Sequence, residues 1–164
     1  MKTIRLNTFE TNSSSEHVVT ICGTDALNAF KKGETICVYD LGGTVNIIPD
    51  KAFIPLEKAF EDLKSWYEKG KQEDETNWDE ADKLFTNGFT FEDFKKMISD
   101  DTEFADVDRC MLSYILGEDV YDDTEVNFYD ADDCENPFNL DESDGEDFSG
   151  IKGPITILDG EVAC

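Results

Sequence analysis

The chain has 164 residues, 39 acidic against 14 basic side chains, a formal charge of −25 and 12% aromatic residues, twelve of them Phe. A domain of that length buries about 70% of its extended-chain surface, so this composition describes a folded acidic protein rather than a disordered one. Nucleic-acid backbones and anionic membranes need Lys and Arg, so the charge argues against direct binding to either and points to basic proteins.

In chain order, Lys2 to Leu6 alternates Ile4 and Leu6 with polar residues and predicts a short strand. A polar connection over Asn7 to Glu16 leads into His17 to Cys22 (HVVTIC), a β-branched run that predicts a buried strand. Thr24 is expected to cap a short helix, with Leu27 and Phe30 on one face and Gly33 past its end. Thr35 to Tyr39 and Thr44 to Ile48 flank Asp40-Leu41-Gly42-Gly43, which predicts a hairpin. Pro55 opens the clearest helix, with Leu56, Ala59, Phe60, Leu63, Trp66 and Tyr67 at helical spacing and Gly70 as its stop.

Residues 71–76 read as a charged linker. Asn77 and Glu80 predict a capping box ahead of Trp78, Ala81, Leu84 and Phe85, and Thr90 and Asp93 repeat it ahead of Phe91, Phe94, Met97 and Ile98. A further helix after Asp101 would carry Phe104, Val107, Met111, Tyr114 and Ile115 before Gly117. Glu125 to Tyr129 predicts a strand with Val126 and Phe128 on one face, 130–150 an acidic loop, and Pro154 to Leu158 a terminal strand. That order predicts an α+β fold: a mainly antiparallel sheet with a block of helices on one face and an acidic C-terminal third. Residues 1–164 are expected to form a single domain, with strands, a short helix and the hairpin in 1–50. The helical block then fills 53–117, and the acidic strand and loop region with the terminal strand fills 118–164.

The five cysteines form no CxxC pair, and three sit in apolar runs. With neither a signal peptide nor a long apolar run, the expectation is a reduced cytosolic protein with no membrane partner. One His and scattered Cys lack ligand spacing for zinc, so no metal and no cofactor are expected.

Charge is concentrated at one end. Residues 1–100 hold 19 acids and 12 bases, whereas 101–164 hold 20 acids and two bases, Arg109 and Lys152. From Glu118 to Asp147, thirty residues carry fourteen carboxylates and no cation, interleaved with Val120, Tyr121, Val126, Phe128, Tyr129, Phe138 and Leu140. Such a mixture is expected to hold carboxylates on a folded surface, where a pure acidic run would stay solvated. Asp123 and Glu125 would share a strand face about 6.6 Å apart, twice the rise per residue. Tyr121, Tyr129 and Phe138 could stand in for bases or serve as anchoring aromatics. Asp130, Asp132 and Asp133 begin like a calcium loop, but Glu135 occupies the position that needs Gly.

Phe9 to His17 (FETNSSSEH) is the one stretch with nucleophile-like residues: Ser13, Ser14 and Ser15 near the only His, with Glu10 and Glu16 close by. Ser15 and His17 would stand side by side on a strand rather than point at each other, which favours a turn over a catalytic pair. The stretch from Arg5 to His17 resembles an N-terminal signature of small uncharacterised proteins encoded by phages and mobile elements of Gram-positive bacteria. Phe30-Lys31-Lys32-Gly33 is a second echo, while Glu16 stands where members usually carry Ser or Thr. The resemblance implies an origin and no catalytic residues.

Together these readings point to a non-enzymatic, nucleic-acid-mimicking inhibitor that blocks the basic nucleic-acid-binding groove of a host defence enzyme, of anti-CRISPR or anti-restriction type. Its expected partner-binding residues are Glu118, Asp119, Asp122, Asp123, Glu125, Tyr129, Asp130, Asp132, Asp133, Glu135, Asp141, Glu142, Asp144, Glu146 and Asp147. The alternatives are a small hydrolase or transferase using Ser13–Ser15 and His17, or an acidic interaction protein with no inhibitory role.

Overall fold

The computed structural model describes residues 15–40, 45–73, 79–99, 106–122, 124–128 and 148–163. Strand β1 (Ser15–Gly23) carries the β-branched run and sits in the middle of a three-stranded sheet. It runs parallel to β3 (Val45–Ile48), Val19 opposite Val45 and Cys22 opposite Ile48. On its other side it is antiparallel to the last strand, β6 (Ile155–Ala163), with Gly23 opposite Ile155 and Ser15 opposite Ala163. Thr20, Cys22, Asn46 and Ile48 point inward and are fully buried.

A second sheet has the order β4-β2-β5, with β2 (Thr35–Val38) central and antiparallel to β4 (Phe53–Pro55) and to β5 (Val126–Asn127). The expected hairpin of Thr35 to Tyr39 with Thr44 to Ile48 therefore does not form: its two arms lie in different sheets. The reason is in the arms themselves. Ile36, Cys37 and Val38 are buried in succession, as are Asn46, Ile47 and Ile48, so each arm needs cover on both faces. A two-stranded ribbon with one wet face does not supply it. Three of the four strand pairings among the described residues are antiparallel, and the fold is α+β.

Helix α1 (Thr24–Lys31) buries Leu27 and Phe30 as their spacing predicts, and Gly33 ends it at φ +67°. Thr24 is the first helical residue rather than the cap. Its amide donates to the Pro154 carbonyl at 2.8 Å and its hydroxyl meets that of Thr156 at 2.8 Å, tying α1 to β6.

Helix α2 (Leu56–Glu73) runs straight through Gly70 and into the expected linker. Its buried positions are Leu56, Ala59, Leu63, Tyr67 and then Gly70 itself, so the glycine is the next residue of the packed stripe and not a stop. Packing outweighs its helix penalty of about 1 kcal/mol. Helix α3 (Asp79–Thr86) buries Ala81, and its expected capping residue Asn77 lies outside the described residues. Helix α4 (Phe91–Ile98) has the predicted capping box, with Asp93 N–H donating to Thr90 Oγ1 at 3.2 Å and Thr90 N–H to Asp93 Oδ2 at 2.9 Å.

Helix α5 (Asp106–Tyr114) bears out Met111 and Ile115 of the expected apolar stripe, which pack on the core, and corrects Val107 and Tyr114. Val107 and Tyr114 are 75% and 64% exposed, while Leu112, Ile115 and Leu116 face the core. Those three fall at i, i+3 and i+4, on the side opposite Val107 and Tyr114. Nor does the helix stop at Gly117: Ile115–Val120 continues it as a π-helix.

Two cores result. The larger joins β2 and β5 to α2, α4 and α5, with fully buried Phe94 against Phe60 at 5.6 Å between ring centroids. The smaller lies beneath α1 and contains Cys22, Cys37, Ile48, Phe30 and Phe53. Burial pushes the Cys22 thiol up to about 11 and that of Cys37 higher still, so both act as hydrophobes, whereas Cys110 is exposed. The expected strand Lys2 to Leu6, Phe104, and most of the 130–150 loop lie outside the described residues; Phe148–Gly150 forms a short 3-10 turn.

Candidate partner-binding face

The acidic stretch begins on the π-helix that extends α5. Its Tyr121 amide donates to the Leu116 carbonyl at 3.0 Å, five residues back, which is the π spacing. The chain then doubles back over Gly117. Thr124 N–H donates to the Gly117 carbonyl at 3.1 Å, and a Cβ at position 117 would stand only 2.7 Å from the Thr124 carbonyl oxygen. Only glycine admits that approach. Asp122 makes the turn at φ 57°, a left-handed conformation that Asp and Asn tolerate better than most residues.

Beyond the turn the segment is built into the second sheet. Tyr39 N–H donates to the Glu125 carbonyl at 2.9 Å, and the Ser113 hydroxyl donates to the Val126 carbonyl at 3.2 Å. Val126 is buried, Phe128 is half-buried, and the Arg109 guanidinium lies 5.6 Å from the Phe128 ring centroid. The expected strand Glu125 to Tyr129 is thus two residues long, with Tyr129 outside the described residues.

Among the described residues this frame carries four exposed carboxylates: Glu118, Asp119, Asp122 and Glu125. Partial burial raises Asp119 above its ordinary value, so its charge is held at some cost. Tyr121 is not a free base mimic. It packs against the larger core, and its hydroxyl donates to Asp62 Oδ2 at 3.1 Å; Asp62 is also paired with Lys58. Burial, then the neighbouring Asp62 charge, raises the Tyr121 phenol well above its ordinary range.

The other expected partner-binding residues, Asp123, Tyr129, Asp130, Asp132, Asp133, Glu135, Asp141, Glu142, Asp144, Glu146 and Asp147, lie outside the described residues, as does Phe138. So do Glu10, Ser13 and Ser14 of the Ser–His stretch. Ser15 and His17 belong to the regular β1–β6 ladder, opposite Ala163 and Glu161. Among the described residues, no group of three or more His, Cys, Asp or Glu could hold a metal ion. No described helix is long and apolar enough to cross a membrane.

No protein-family model, curated protein or solved structure matches the chain.

Two features of this face escaped sequence reading, the π-helix and the close pass over Gly117. Val120 and Tyr121, four and five residues beyond Leu116, were the available sign that an apolar helical face continues past the glycine.

Proposed function

We propose that the protein is a nucleic-acid-mimicking inhibitor that occupies the basic groove of a host nucleic-acid-binding defence enzyme. One observation carries this reading. The chain's densest run of carboxylates starts on a segment built into the fold at Gly117, Tyr121, Thr124 and Val126, with four acidic side chains exposed along it among the described residues. Carboxylates held on a frame meet a basic groove without first being ordered, which lowers the entropic cost of binding. A net charge of −25 adds long-range attraction to any cationic partner and repels nucleic acid competing for the same groove.

The test begins with capture from a host bacterial lysate at low and high salt, followed by titration of the isolated partner. Affinity is expected to fall at least about tenfold between about 0.05 M and about 0.3 M salt, and the protein should displace the partner's nucleic acid. Glu118→Gln, Asp119→Asn, Asp122→Asn and Glu125→Gln combined should weaken binding by at least about tenfold, roughly a factor of two for each lost charge pair. Asn at position 122 preserves the left-handed turn, which Lys would strain. A folded quadruple variant with unchanged affinity and displacement would exclude this face from the interface.

A further inference from the structure

A cavity of about 270 Å³ opens where the C-terminal ends of α1 and α4 converge on β2. Ile36, Leu56 and Ile98, all buried, form its floor, and the half-buried ring of Phe128 forms one wall. The rim has the opposite character. Lys32 arrives from the end of α1 and Lys95 and Lys96 from the last turn of α4, all exposed, against one carboxylate among the described residues, Glu92.

The sign of that rim runs against the whole chain, which has 14 cations to 39 acids. Lys95 is already engaged: its Nζ lies 3.5 Å from Glu92 Oε1 and 5.2 Å from the Phe91 ring centroid. Lys32 and Lys96 have no carboxylate within ion-pair distance among the described residues, although the Lys96 charge helps to lower the Asp93 carboxyl from farther off. Partial negative charge at helix C-termini favours a cation at each end separately. It does not account for two helix ends placing their cations over one apolar floor.

We propose that this cavity binds a small organic monoanion with a short apolar body. The apolar part would lie on Ile36, Leu56, Ile98 and Phe128, and the anionic head would meet Lys32 and Lys96. The volume falls just below the range of about 300–1,000 Å³ usual for drug-sized ligands, so a compact carboxylate fits and a nucleotide or peptide does not. Two ammonium groups without a bidentate guanidinium fork suit a point-like head group.

Octanoate is the probe, titrated into the full chain by calorimetry and by amide chemical shifts, with octanol and octylamine as uncharged and cationic counterparts. The expected dissociation constant lies between about 10 µM and about 1 mM, as befits a ligand of about ten heavy atoms. Gly33, Ile36 and Ser99 should give the largest shifts. Octanol should bind at least about fivefold more weakly and octylamine not measurably, since removing the charge removes both ion pairs. Lys32→Ala with Lys96→Ala should weaken octanoate by about fivefold, and the Arg pair should restore it. Lys64→Ala with Lys69→Ala, exposed on α2, makes the same change in net charge and should leave affinity unchanged. Equal binding of octanol and octanoate, equal effects of the two lysine pairs, absence of octanoate binding, or shifts centred elsewhere would each overturn the proposal.

Discussion

At the scale of single residues, the capping box of α4 is where a sequence signal and a measurable energy meet most directly. The Thr90 hydroxyl donates to Asp93 Oδ2 at 2.6 Å and accepts from the Asp93 amide, while the Thr90 amide donates to the same carboxylate. Hydrogen bonds from the Thr90 side chain, then its backbone, hold the Asp93 carboxyl below its ordinary value. Thr90→Ala is expected to cost about 1 kcal/mol at neutral pH, read from urea melts. The sign of its pH dependence follows from the lowered folded-state pKa. The carboxylate's contribution is complete above the unfolded carboxylate range, near about 4, and is lost as pH falls through the folded value. The gap between wild type and Thr90→Ala should therefore narrow on acidification. A gap that widened toward low pH would mean that the hydroxyl does not act through the charged form. This motif was legible because all of its atoms lie within four residues of sequence. Gly117, Asp122 and Tyr121 were not, because what each does depends on Thr124, a turn and Asp62, which local spacing does not reveal.

At the scale of elements, periodicity located the helices well and their ends poorly. The stripe from Leu56 to Tyr67 marked α2, yet Gly70 continues it, because a small residue on a packed face looks the same in sequence as a helix stop. The mispaired hairpin has the same origin: adjacency and a glycine loop suggested pairing, while burial on both faces sent the two strands to different sheets. The π-helix carries the clearest test. Alanine at position 117 would place its Cβ 2.7 Å from the Thr124 carbonyl oxygen, which is backbone and cannot swing aside. Gly117→Ala is expected to cost about 1–3 kcal/mol, the range for overpacking a filled site. Amide exchange should show where the loss falls: faster at Tyr121 and Thr124 than in β1, since their hydrogen bonds cross the point of contact. Uniformly faster exchange throughout the chain would instead mean that the glycine supports the whole core and not the acidic segment in particular. The same substitution should weaken partner binding although it changes no charge.

At the scale of the whole molecule, the balance of charge sets two responses to salt that run in opposite directions. With 39 acids against 14 bases, carboxylates outnumber the available cations nearly threefold, so most of them repel one another in the folded state. The described ion pairs are few and largely exposed, as in Lys58–Asp62 with its half-buried carboxylate, Lys71–Asp82 and Lys95–Glu92, and such pairs contribute at most about 1 kcal/mol each. Adding salt shortens the screening length from about 30 Å at about 0.01 M to about 8 Å at about 0.15 M, which removes long-range repulsion while leaving the two hydrophobic cores untouched. The melting temperature of the isolated protein is therefore expected to rise by several degrees over that interval, monitored by circular dichroism. Binding to a basic partner should weaken over the same interval, because the field that destabilises the free fold is the one that attracts the partner. Neutralising Glu118, Asp119, Asp122 and Glu125 should flatten both curves together. A melting temperature insensitive to salt would mean that the carboxylates are compensated locally, and the excess charge would then have no stored repulsion for a cationic groove to relieve.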